Sequence, residues 1–457
     1  MSKPESRWRN ERMAKDRFAA PDSRTARIFE RGRRVIPAGT SRLHYLIEPN
    51  PIYAESGHGC RLTDADGDER IDCLNNMTAL IHGHADPEIT AAVVAQATRG
   101  VSYSEPCATE VELAELIVER LKGAEQVHFR SSGTEAVMIA VKLARAFTGR
   151  DMVAKFEGAY HGYYDYVQWS FTSGEANWGE STAPRSVPSS GGLASSVERD
   201  MVILPFNDPD GVERLLQQHG KRVAALLVEP LSNRSGMVLP KPGFFDFLRE
   251  ITRQHGIVLI FDEVIAFRVA PGGAQARYGG APDLTALGKV IGGGMPIGAI
   301  AGRAEILGLL DPASKKTKVL SGGTYSGNPL SAAAGIACLT KLTPAMLERL
   351  ETLGKRFRDG ANAVLRAAQQ PAQVTGDTSL FQVVPNRLAI TNYRSMPFDA
   401  QSNDWLLRLH QALLREGVII SHRGLGCLSS PMDETVIDEL IDAFERSVAR
   451  LRDHAPA

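Results

Sequence analysis

Between about residues 125 and 305, short apolar runs rich in valine and isoleucine alternate with amphipathic stretches. The runs are Gln126–Phe129, Met152–Phe156, Met201–Pro205, Val223–Val228, Ile257–Phe261 and Ile297–Ala301. Continuous apolar runs of this length suit strands covered on both faces. The stretches between them, such as Glu135–Phe147 and Gly243–His255, have helical spacing. Strand-helix alternation predicts an α/β fold built on a mostly parallel sheet. Active sites in such sheets lie beyond the carboxyl ends of the strands. Ser131 to Thr134, Tyr160, His161, Glu229 and Asp262 lie at or just past those ends.

The 457 residues suggest about two to three domains at roughly 150 residues each. We expect a large domain over 76–335, preceded by an arm and small-domain segment over 1–75 and followed by a smaller α+β domain over 336–457. In the last segment, Glu348–Ala368, Trp405–Glu416 and Asp433–Arg452 read as helices, and Leu380–Val384 and Gly417–Ser421 as strands. Residues 1 to about 30 read as a polar helical arm, either exposed or packed on a partner subunit. The Asp-rich stretch Leu62–Glu69 reads as two short strands around an Asp-Gly turn. It lacks the bidentate glutamate that closes a calcium loop. Residues 170–200, dominated by Ser, Gly, Pro and Ala, form a long loop. Loops of that length are functional or disordered, and an active-site lid is expected here.

A net charge of −1 leaves no basic surplus for nucleic acid or an anionic membrane. No apolar run approaches the roughly 20 residues that span a bilayer. The five cysteines are scattered without CxxC spacing, which argues against a disulfide framework or a metal site and fits a reducing, cytoplasmic setting.

The chemistry concentrates in five segments. Lys289 lies between a short apolar segment and the cluster Gly292-Gly293-Gly294. A partly desolvated lysine loses its proton more easily, and a neutral amine condenses with an aldehyde. Ser131-Ser132-Gly133-Thr134 follows an apolar run and opens a helix, which makes either an anion site or a plain helix cap. Asp262 ends a buried run, with Val264 on its face and Glu263 on the other. Such an acid needs a positive or hydrogen-bonding partner, such as a pyridinium nitrogen, or else caps the next helix. Tyr160 offers a ring to stack on a ligand, and Thr324, within Ser321–Pro329, offers a hydroxyl to phosphate. Each of these two has a plain surface-loop alternative.

In order and content these segments resemble the class III (ω-type) aminotransferases of the fold-type I pyridoxal 5'-phosphate (PLP) enzymes, over about residues 30 to 445. Ile36-Pro37-Ala38-Gly39, His82-Gly83-His84, Ser132-Gly133-Thr134-Glu135-Ala136, Tyr160-His161-Gly162, Asp262-Glu263-Val264, Gly288-Lys289 and Gly327-Asn328-Pro329 look like the glutamate-1-semialdehyde aminomutase and β-amino acid aminotransferase branches. The resemblance implies PLP as cofactor. Lys289 would be the Schiff-base lysine, and Asp262 the partner of the ring nitrogen. Tyr160 and Val264 would sandwich the ring, with His161 and Glu229 also beside the cofactor. Ser132, Gly133 and Thr134 would hold the phosphate, with Thr324 reaching it from the neighbouring subunit of a homodimer. Arg42 and Arg423 resemble carboxylate-binding arginines of the β-amino acid branch. The stretch after Glu229-Pro230 departs from both branches and places Arg234 near the substrate side. The expected activity is transfer of an amino group from an amino acid or amine to a keto acid or aldehyde. The runner-up is intramolecular transfer of the aminomutase type, and the rival of another class is a catalytically silent PLP-fold regulatory protein.

Overall fold

The computed structural model describes residues 13–42, 48–314, 318–451 and 456. Its centre is a seven-stranded sheet of β1 (Gln126–Arg130), β2 (Met152–Phe156), β3 (Met201–Leu204), β4 (Val223–Val228), β5 (Val258–Asp262), β6 (Leu284–Gly288) and β7 (Gly298–Gly302). The spatial order is β1-β7-β6-β5-β4-β2-β3. The contiguous strands β3, β2, β4, β5 and β6 pair in parallel. β7 runs against both its neighbours, β6 and β1. Strands β2 to β7 are buried along their whole length, which is why β2, β3, β4, β5 and β7 read as mostly apolar runs rather than alternating ones. Helix α1 (Gly133–Thr148) packs on the sheet, burying Val137, Ile139, Ala140, Val141 and Leu143.

β6 is the strand that apolar runs alone do not reveal. Leu284-Thr285-Ala286-Leu287-Gly288 carries one β-branched residue and ends in glycine, so its β-propensity is low. It is a strand because burial between β5 and β7 pairs both of its edges.

A second sheet joins the two ends of the chain. Ala54–His58, Arg61–Asp64 and Glu69–Asp72 form an antiparallel meander, and Val418–Ile419 pairs in parallel with Glu69–Asp72. The acids of the Asp-Gly turn are held by arginine: Arg70 on Asp64 and Arg17 on Asp68. A third sheet comprises Gln373–Thr375, Leu380–Val384 and Leu425–Cys427. The arm is helical at Met13–Ala19 and Arg24–Arg33, and its first twelve residues lie outside the described ones. Among the described residues no single helix is long and apolar enough to cross a membrane.

The 170–200 segment is tied down rather than loose. It holds a two-stranded ribbon, Gly179–Glu180 with Ala183–Pro184, and the short helix Ser195–Asp200. Tyr393 Oη donates to Ser173 O at 2.8 Å. Arg394 pairs with Glu157 at 2.7 Å and donates to the carbonyls of Trp178 and Gly179.

Candidate active site

Three strand ends and one helix start converge on a cavity of about 400 Å³. β1 leads into Ser131–Thr134 and α1, β5 ends at Asp262, and β6 ends just before Lys289. The cavity is lined by Ser131, Ser132, Gly133, Thr134, Tyr160, His161, Glu229, Asp262, Val264 and Lys289, with Arg42 at its edge. Of the expected residues, Thr324, Arg234 and Arg423 do not line it.

Lys289 follows β6 with φ of 51°, a left-handed conformation rare for a residue with a side chain. The tight approach of neighbouring segments accounts for the glycines beside it. A Cβ on Gly133 would lie 2.9 Å from Val264, and one on Gly298 would lie 2.0 Å from Ser132 O. Burial lowers the pKa of Lys289, opposed by the nearby charges of Asp262 and Glu229.

Asp262 is 5% exposed. Its Oδ2 accepts from His161 Nδ1 at 2.8 Å and its Oδ1 from the Val264 N–H at 3.1 Å. Burial lowers the pKa of His161. A neutral imidazole bonded to a carboxylate carries its proton on Nδ1, so Nε2 is left as an acceptor, buried and without a partner among the described residues. Glu263 faces the other way and accepts from Ala274 N, Gln275 N and Gln275 Nε2.

Glu229 carries Tyr160: its Oε2 accepts from the Tyr160 N–H at 3.0 Å while Oε1 accepts from Asn233. Burial, then Asp262, pushes the Glu229 carboxyl up to about 7. Ser132 caps α1, its Oγ accepting from Glu135 N, and Glu135 in turn accepts from Ser131 N and Ser132 Oγ. The helix-cap and anion-site readings of this segment therefore hold together. Capping fixes the turn, and the first-turn N–H groups of Gly133 and Thr134 have no intrahelical acceptor.

Arg234 sits beside Tyr160, with Arg423 near enough to act on its charge. Arg234 lies 5.7 Å from the Tyr160 ring centroid and 4.7 Å from that of Phe171. Burial, then the charge of Arg423, pulls its pKa down to about 10. Arg42 donates to Asn76 Oδ1 at 2.8 Å. It stands between the main cavity and an adjoining one of about 420 Å³ lined by Ile52, Tyr53, Leu80 and His84. Thr324 is exposed in a separate hollow with Ser102, Tyr103, Glu110 and Asn328.

Sequence reasoning missed several residues. Asn76, Met295, Pro296 and Ile297 line the cavity without any chemical signature. Phe171 and Tyr393 reach Arg234 from distant loops. Lys155 was detectable: it is a charge inside a fully buried strand. Its Nζ donates to Trp169 O at 2.8 Å, and burial pulls its pKa down to about 7.

The donor set fits PLP. A lysine amine, a buried carboxylate with an adjacent unfilled imidazole nitrogen, an aromatic wall and a helix start meet in one cavity. An aldehyde, a ring nitrogen, a ring face and a phosphate require these four partners.

Known proteins share the sequence and the fold along nearly the whole chain. A curated glutamate-1-semialdehyde 2,1-aminomutase of Methanothermobacter thermautotrophicus is 40% identical over 430 residues, covering 93% of this chain and 99% of that protein. The crystal structure of an ω-transaminase from Sphaerobacter thermophilus is 46% identical with a TM-score of 0.92, covering 95% of this chain and 99% of that one. A transaminase solved with PLP bound is 40% identical with a TM-score of 0.86, covering 94% and 98%. The aminotransferase class-III family model matches residues 47–448. With that match spanning the sheet, the lysine and both flanking segments, the chain belongs to the class-III aminotransferases, and its cofactor is pyridoxal 5'-phosphate.

Proposed function

We propose that the chain is an aminotransferase in the strict sense, moving an amino group from an amino-carboxylic acid or related amine to a keto acid or aldehyde. Bound PLP supplies an aldehyde for the amine and an electron sink for the carbon beside it. Lys289 supplies the amine that holds the cofactor and then moves a proton at the reacting carbon. Its lowered pKa keeps a larger fraction of that amine neutral. Asp262 holds a negative charge against the ring nitrogen, and His161 fixes the carboxylate's orientation. Tyr160, seated by Glu229, walls one ring face and Val264 the other. Ser132, Gly133 and Thr134 take the phosphate.

The observation that carries transfer is Arg234. It replaces the pattern usual in aminomutases after Glu229-Pro230, and it stands beside Tyr160 with Arg423 near enough to lower its pKa. Two neighbouring guanidinium groups favour an anionic substrate. Arg42, between the two cavities, is a third carboxylate partner, with Ile52, Tyr53 and Leu80 offering apolar surface to the substrate's body. On this reading residues 76–335 hold the cofactor, while 1–75 and 336–457 supply Arg42 and Arg423. Thr324 serves the site of a second copy, giving a homodimer with shared sites. Its exposure away from its own cavity supports this, as do the exposed apolar residues Val101, Tyr103, Leu320 and Tyr325 beside it.

Intramolecular transfer is the second reading. The name of the Methanothermobacter relative favours it, and the pinned 170–200 segment suits an enzyme that retains its intermediate. The deciding experiment supplies an amino donor with and without a keto acid. Sustained turnover only with the keto acid, with ping-pong kinetics, supports transfer. Isomerisation of an amino-aldehyde with no acceptor and no released keto product establishes the mutase.

A further inference from the structure

Arg130 is the last residue of β1, directly before the Ser131–Thr134 turn, and is 3% exposed. Its guanidinium spends its hydrogen bonds on neutral groups. Nη1 donates to Gly322 O at 3.0 Å and to Ser326 Oγ at 3.2 Å, and Nη2 donates to His128 Nε2 at 2.7 Å. His128 is neutral, because burial and the Arg130 charge push its pKa down to about 4. Nε of Arg130 has no partner among the described residues. Glu135, the acid whose charge it feels, is committed to Ser131 N and Ser132 Oγ. A buried cation without a bonded anion is expensive unless a negative group arrives.

The two segments that Arg130 joins are the two assigned to phosphate. Its backbone continues into the cradle at Ser132–Thr134, and its guanidinium holds the loop bearing Thr324. A Cβ on Gly323 would lie 3.6 Å from Nη1, so the loop is packed onto the cation. We propose that Arg130 is a positioning residue of the phosphate sites: it fixes the turn that leads into its own chain's cradle and holds the Thr324 loop in the place from which it serves the phosphate of the second copy. This rests on assigning the phosphate to Ser132–Thr134 and is independent of whether transfer is inter- or intramolecular.

The test compares PLP with pyridoxal, which lacks the phosphate, by titrating each into cofactor-free protein and following absorbance as it condenses with the lysine. Arg130→Met should weaken PLP by about tenfold or more, the range for a lost charged hydrogen bond, and change pyridoxal by less than about twofold. Arg130→Lys, which keeps the charge but not the fork, should fall between. Should Arg130→Met not fold by circular dichroism, Arg130→Gln, which keeps a donor for Gly322 O, is read the same way. Equal weakening of both ligands, or weakening of neither, overturns the proposal. Thr134→Ala is the control on the cradle. If it too leaves the PLP-to-pyridoxal ratio unchanged, the cradle assignment fails and the proposal with it. If it lowers the ratio while Arg130→Met does not, Arg130 alone is refuted.

Discussion

Asp262→Asn removes one charge from the floor of the site and keeps its shape. The carboxylate now accepts two hydrogen bonds, from His161 Nδ1 and Val264 N. An asparagine has one acceptor oxygen, so its amide nitrogen must face one of these donors. His161 offers the way out: its Nε2 is buried and unpartnered among the described residues. The proton can therefore move from Nδ1 to Nε2 and let Nδ1 accept from the amide. The fold should thus lose no more than about 1–3 kcal/mol, the range for one unsatisfied buried group. The catalytic loss should be larger. An opposite charge beside a titrating group favours its charged form by about one to three pKa units, each about 1.4 kcal/mol. Loss of ring-nitrogen protonation on that scale lowers the rate about 10- to 1000-fold. Lys289 loses a charge that raises its pKa, so its pKa should fall further. Stopped-flow single turnover, following the cofactor's aldehyde form as it converts to the amine form, measures the rate. Equilibrium binding checks that PLP stays bound. A loaded Asn variant within about twofold of the wild-type rate would refute the reasoning and give the ring nitrogen another partner.

Lys289→Ala should fold yet bind no cofactor covalently; borohydride reduction and peptide mapping of the wild type should label Lys289, and a label on another lysine refutes the assignment. Arg423→Ala should raise KM for carboxylate substrates roughly tenfold, the scale of a lost charged hydrogen bond, and spare simple amines, whereas equal effects on both indicate a structural role. Lys155 carries a pH prediction, since burial pulls its pKa from 10.5 to about 7. The folded state therefore binds fewer protons than the unfolded chain between those values, and stability falls as pH drops from 10.5 to 7, by up to roughly 5 kcal/mol. Lys155→Met should flatten that slope in denaturant unfolding of cofactor-free protein at pH 7 and 9.5, and an unchanged slope sinks the idea.

Strand ends were the legible part of this molecule. β2 and β4 match their runs residue for residue, because burial on both faces keeps them apolar to their ends, Lys155 of β2 being the one charge. Opposite facing of Asp262 and Glu263 followed from the period of two alone. The reversal of β7 was not legible, since a strand has the same periodicity in either direction. Arg234 could be flagged as an odd charge, but its setting could not, because Phe171 and Arg423 come from segments 63 and 189 residues away. Thr324 is a third case: one chain places it in a hollow apart from the Lys289 cavity, and the role proposed for it needs a second copy.

The left-handed backbone at Lys289 bears on how such a scaffold drifts. Holding a side-chain-bearing residue there costs on the order of 1–3 kcal/mol, and crowding an amine among packed walls adds to it. Glycine or asparagine would sit more easily at φ of 51°. A descendant valued only as a folded platform would gain by shedding the lysine, and each such loss would be rewarded with a sturdier protein. Silence is thus the downhill direction for this fold. A lysine kept in that unfavourable geometry is what the role proposed for Lys289 would require, since the architecture alone does not favour it.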